Sequence, residues 1–184
     1  MSVGDHVLPD FTTDGLLPPG DYALTLDELR QSMLVVGSGV VGWDAVWRLQ
    51  LVENLAIMAG HLWQVGIAEI FLDGSFVESK RYPNDIDGYF VCDRQAIRSG
   101  SLLSELSRID PVWTWAAASR TPFLNYPKPQ LPMWHRYRVE LFPHYGQKCG
   151  IVDANGFEFE FPAAFRQSRR NNAAKGIVKL IGGP

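Results

Sequence analysis

The residues best suited to chemistry lie between Phe71 and Val91. Ile67-Ala-Glu-Ile-Phe-Leu-Asp73 reads as an apolar strand that delivers Gly74-Ser75 at its end. A glycine there lets the backbone come close to a ligand. Ser75 adds a hydroxyl at a predicted helix N-terminus, where free N–H groups favour phosphate. Asp85 and Asp87 follow, two apart on the next predicted strand, Asp85–Cys92. The period of two puts both carboxylates on one face. Two such groups side by side repel each other unless a cation lies between them. A hard divalent metal, held by carboxylate oxygens and substrate phosphates, answers that need.

A third acid would complete such a site. Trp134–Phe142 reads as a third strand, on which Arg136, Arg138 and Glu140 share one face and Tyr137, Val139 and Leu141 the other. Placed beside the Asp85 strand, Glu140 would face the same metals, and the two arginines would flank the phosphates. Lys80, with Arg81, either steers a polyphosphate or forms a solvated loop face.

The elements that must position these groups are legible in outline. Residues 1–24 read as an extended arm, because Leu17-Pro18-Pro19-Gly20 forbids helix. Thr25-Leu26-Asp27-Glu28 is a capping box that opens a helix to about Val36, stopped by Gly37-Ser38-Gly39. A long helix over about 41–65 carries an apolar stripe from Trp43 through Trp47, Leu51, Leu55, Met58 and Leu62 to Val65. The remaining expectations are a helix over 94–108, a proline-rich loop over 119–133 and a hairpin around Asn155-Gly156. A short helix from Pro162 and a last strand over 176–181 close the chain. Together they predict one α+β domain over 25–184, a mixed β-sheet flanked by helices with the site at one open edge.

Gly-Ser, a spacer of about ten residues and Asp-hydrophobic-Asp resemble the signature of the polymerase-β-like nucleotidyltransferase superfamily. Here it stands as Gly74-Ser75 and Asp85-Ile86-Asp87. The flanking text (Leu17-Pro18-Pro19-Gly20, Leu72-Asp73-Gly74-Ser75-Phe76-Val77, Pro83-Asn84 and Lys175-Gly176-Ile177-Val178) is similar to a small bacterial and phage branch, the DUF6932-type proteins. The resemblance implies transfer of a nucleotide from a nucleoside triphosphate to a hydroxyl of a protein or RNA. Asp85 and Asp87 would hold Mg2+ or Mn2+, and Gly74 and Ser75 would contact phosphates. A third acid, usually Asp in that superfamily, falls here on Glu140, with Asp93 and Asp153 as weaker alternatives. The larger relatives' helical acceptor-binding domain is absent or reduced at this length. By analogy the setting is a toxin–antitoxin or phage-defence module with an antitoxin-like partner. The alternative is a non-catalytic nucleotide- or RNA-binding protein on the same fold.

Composition bounds these readings. The 184 residues carry 17 Lys+Arg against 20 Asp+Glu, a net charge of −3, which argues against bulk electrostatic binding to nucleic acid or membrane. A local basic cluster of Arg166, Arg169, Arg170, Lys175 and Lys179 stands out; it would grip an RNA backbone or a triphosphate, or is a solvated surface. The hydrophobic fraction of 46% is enough for a real core. Cys92 and Cys149 are too few for a disulfide scaffold and fit a reducing cytoplasm. No apolar stretch is long enough to span a membrane, and Met1–Asp14 has no apolar leader. His135 and His144 bracket the third strand, as structural groups or as a base at the site edge. Trp113, Trp115, Phe123, Tyr126 and Trp134 either stack a nucleobase or pack locally.

Overall fold

The structure is a computed structural model and describes residues 8–37 and 39–182. Its centre is a five-stranded mixed sheet built from β1 (Asp21–Leu24), β2 (Ile70–Asp73), β3 (Ile86–Val91), β4 (Val139–His144) and β7 (Ile177–Leu180). Their order is β1-β7-β2-β3-β4. β1 runs parallel to β7, β7 antiparallel to β2, β2 antiparallel to β3, and β3 parallel to β4. A separate hairpin pairs β5 (Lys148–Val152) with β6 (Glu158–Glu160).

Alternation sorts the sheet into two faces. Ile70, Leu72, Ile86, Phe90, Val139, Leu141, Val178 and Leu180 enter the main core, together with Leu51, Leu55, Met58 and Leu62 of α3 (Ala45–Gln64). Each of these four α3 side chains is fully buried, a contribution of about 1.5–3 kcal/mol apiece. Asp44 caps α3 by accepting from the Trp47 N–H at 2.9 Å. Two short helices, α1 (Leu26–Gln31) and α2 (Met33–Val36), pack beside it. On the other face Phe71, Tyr89 and Ile177 meet Ala164 and Phe165, from α7 (Phe161–Ala164) and the residue after it.

Several local expectations shift. The Thr25 capping box forms as read, with Glu28 Oε2 accepting from the Thr25 N–H at 2.7 Å. The helix it opens breaks at Ser32, whose backbone is extended (φ −71°, ψ 161°). The end of the expected arm, 21–24, is a sheet strand; residues 1–7 of that arm, and Ser38 of the expected helix stop, lie outside the described residues. The 94–108 helix divides at left-handed Gly100 into α4 (Arg94–Arg98) and α5 (Ser101–Ile109). The main correction concerns 134–142. Pro132 opens α6 (Pro132–Tyr137) at a position where its missing N–H is harmless, Arg138 turns the chain at φ +55°, and β4 starts only at Val139. No helix among the described residues is long and apolar enough to cross a membrane.

Candidate active site

The sheet register assembles three carboxylates in a row. Asp73 of β2 lies opposite Asp87 of β3, and Asp87 lies opposite Glu140 of β4. Directly opposed residues of neighbouring strands project to one face. β2 then ends in a 3-10 turn, Gly74–Val77. Gly74 has φ +74°, and a β-carbon there would run into Asp87 Oδ2, so only glycine allows this approach. The turn is four residues long, so Ser75 does not head a helix with a dipole of any consequence, contrary to the sequence expectation.

Beside this row opens a cavity of about 490 Å3. One wall is the segment from Gly74 and Ser75 to Ser79 and Lys80; the opposite wall is Phe165 and Gln167–Arg170. Asp73, Asp87 and Lys175 line it as well. The first wall is fixed from behind by Arg48 of α3, whose side chain is completely buried. Its guanidinium donates to the carbonyl oxygens of Leu34, Phe76, Glu78 and Lys80 at 2.7, 2.8, 3.1 and 2.6 Å. It also lies 3.7 Å from the centre of the Trp43 ring.

Electrostatics mark the row as unusual. Burial pushes the Asp87 carboxyl up to about 8, reinforced by the nearby charges of Asp85, Glu140 and Asp73. Burial also raises Asp73, Asp85 and Glu140 above the usual carboxylate range. Each of these three has a partner that opposes the shift. Lys175, itself buried, sits 2.7 Å from Asp73 and 3.0 Å from Glu78. Asp85 Oδ2 accepts from the Trp134 indole N–H at 2.7 Å. Glu140 Oε1 receives Arg120 Nη1 at 3.4 Å. As these side chains stand, no three His, Cys, Asp or Glu groups among the described residues converge closely enough to hold a metal ion.

A family model described as "Family of unknown function (DUF6932)" matches residues 9–181. The chain belongs to the DUF6932 family. No curated protein and no solved structure matches it.

Within this DUF6932 chain the predicted residues divide. Gly74, Ser75, Lys80 and Asp87 line the cavity, whereas Asp85 and Glu140 do not and act on Asp87 only as nearby charges. Arg136 does not join them: it points to Asp110 at 3.5 Å on α6. Arg138 does not line the cavity; its guanidinium is stacked 3.8 Å from the Trp134 ring and 4.3 Å from Phe123, and its charge acts on Asp85. The premise that both arginines share a strand face with Glu140 fails with the helix at 132–137. His135 bonds to Thr121, and His144 packs edge-on to Tyr89. Cys92 has its thiol pushed up to about 11 by burial, which suits packing.

Asp73, Ser79, Arg48, Arg120 and the Trp134 N–H are not among the site residues expected from the sequence. Only Asp73 left a readable signal, an acid at the end of an otherwise apolar strand next to Gly74. The others depend on contacts between residues far apart in the chain.

Proposed function

We propose that this DUF6932 protein is a metal-dependent nucleotidyltransferase of the polymerase-β-like type. The supporting observation is Asp87. It lies half-buried in the lining of a polar cavity, against Gly74 of the Gly-Ser turn and in register with Glu140, with Asp85 close enough to raise its pKa. Crowded carboxylates of this kind suit a hard cation in donor chemistry.

Asp85, Asp87 and Glu140 would hold Mg2+ or Mn2+, which when bound supplies charge neutralisation and polarises the reacting phosphate. The chain's own residues do the rest. Gly74 admits the triphosphate close to the backbone, and the Ser75 hydroxyl donates to its oxygens. Glu140, held above the usual carboxylate range, accepts the proton of the attacking hydroxyl at a carboxylate oxygen. The hydroxyl oxygen bonds to the α-phosphorus and pyrophosphate leaves. Arg48 and the sheet register keep the groups in place, so positioning carries much of the rate.

The acceptor class is a hydroxyl of a protein or RNA. Family analogy gives the setting, a cytoplasmic toxin–antitoxin or phage-defence module with an antitoxin-like partner. One observation favours a second reading, nucleotide or RNA binding without transfer: Asp85 and Glu140 are engaged by Trp134 and Arg120, and the carboxylates do not converge as they stand.

The test is incubation with α-labelled triphosphates and Mg2+, with RNA and protein as acceptors. The wild type should transfer label and release pyrophosphate, and the variant carrying Asp85→Ala and Asp87→Ala should do neither. Transfer that survives in the double variant overturns the proposal.

A further inference from the structure

The basic C-terminal segment is divided by the fold. Arg166 is committed to Asp21, with Nη2 at 2.6 Å from Oδ2, and also reaches the Pro162 carbonyl at 2.6 Å. Lys179 is paired with Glu69 at 2.6 Å. Neither lines the cavity, so these two cations do not form a continuous track for an RNA backbone.

Arg169, Arg170 and Lys175 take the other course and line the cavity opposite the Gly-Ser turn. Lys175 is spent on Asp73 and Glu78, and Arg170 reaches Glu78 at 3.1 Å. The side chains of Arg169 and of Lys80, on the facing wall, make no hydrogen bond or salt bridge among the described residues. Both are exposed at the cavity rim. Hydroxyls of Ser75 and Ser79 stand on the Lys80 side, and buried Ser168 stands on the Arg169 side. A cleft with a cation on each wall that no hydrogen bond or salt bridge holds, Lys80 acting on Asp85 and Arg169 on Asp87 through charge alone, and with hydroxyls between, suits a short, flexible anion of high charge. A nucleic-acid backbone would instead need an open groove with cations spaced along it.

We propose that the cleft between the Gly74–Lys80 and Gln167–Lys175 walls is a binding site for a linear polyphosphate chain, gripped from opposite sides by Lys80 and Arg169. This deepens the nucleotidyltransferase reading, because the polyphosphate in question is then the tail of the triphosphate. It also assigns the second wall, which the Gly-Ser signature does not include.

The experiment is calorimetric titration of the full chain, with Mg2+ present, with inorganic tripolyphosphate, with a nucleoside triphosphate, and with a single-stranded RNA lacking terminal phosphates. Wild type, Lys80→Gln, Arg169→Gln, the double variant and an Arg98→Gln control are compared. Arg98 is an exposed arginine on α4, outside this cavity. Tripolyphosphate should bind the wild type and the control alike. Each single variant should weaken binding by about 10-fold, and the double variant by about 100-fold. Melting midpoints should stay unchanged, which separates the effect from misfolding. The inference is overturned if tripolyphosphate does not bind, if both variants bind like the wild type, or if the RNA binds as tightly as tripolyphosphate. Tripolyphosphate binding that depends on Arg169, with no label transfer, would sink the transferase reading alone. Label transfer with a triphosphate KM unchanged in the double variant would sink this inference alone.

Discussion

The indole N–H of Trp134 donates to Asp85 Oδ2 at 2.7 Å, from a side chain that is itself fully buried. An indole N–H can only donate, so this bond favours the ionised carboxylate and fixes its orientation. Arg138 stacks on the Trp134 ring, and Phe123 and Tyr126 approach it edge-on at 5.2 and 5.0 Å. Trp134→Phe keeps an aromatic ring in that packing and deletes the donor. It should lower Mn2+ affinity by about 10-fold, read by electron paramagnetic resonance. The stability cost should be about 1–3 kcal/mol by urea denaturation. Unchanged Mn2+ binding would show that Asp85 does not need this partner.

Stability should fall as pH rises. The Asp87 carboxyl keeps its proton up to about 8 in the folded protein, against an ordinary value of 3.8. Between those values the folded chain binds more protons than the unfolded chain, so ionisation favours unfolding. The raised Asp73, Asp85 and Glu140 act in the same sense as Asp87. Asp87→Asn should flatten this pH dependence. Mg2+, binding the ionised form, should raise the melting midpoint more at pH 8 than at pH 5. A metal-free midpoint independent of pH across that range would contradict this.

Gly74→Ala should damage the site directly. The added methyl collides with Asp87 Oδ2, at a backbone φ of +74° that side chains disfavour. A loss of about 1–3 kcal/mol in denaturation midpoint analysis is expected, together with loss of Mg2+-dependent triphosphate binding. Ala at Gly66, where a β-carbon meets open space, should lose only the backbone part and leave binding intact.

Arg48→Met should cost at least about 3 kcal/mol, because four carbonyl oxygens lose their donor at once. Hydrogen exchange should rise first around 76–81, the wall that Arg48 holds. Exchange that rises evenly along the chain would mean that Arg48 serves the core at large.

Local signals are legible where one stretch of chain decides the outcome. The Thr25 capping box, the middle of the α3 stripe and the place of Asp87 on β3 depend on neighbours in sequence, whereas Asp85 stands one residue before β3, and Trp43 and Val65 lie outside α3. The expectation that Glu140 lies on a strand beside the Asp85 segment holds, with Asp87 as its register partner, but the alternation behind it takes a strand from Trp134, whereas Pro132 starts a helical turn and the strand begins at Val139. The shared strand face expected for Arg136, Arg138 and Glu140 fails for that reason. Arg48 could not be read, since its four acceptors lie 14 to 32 positions away. Nor could Lys175, about a hundred residues from Asp73, whose role depends on β7 entering the sheet beside β2.

The most direct test of the account is calorimetric titration of nucleoside triphosphate into the full chain, with and without Mg2+, for the wild type and Asp87→Asn. The account predicts triphosphate binding that requires Mg2+ in the wild type and disappears in the variant. Equal binding by the two proteins, or no Mg2+-dependent binding by the wild type, would contradict it.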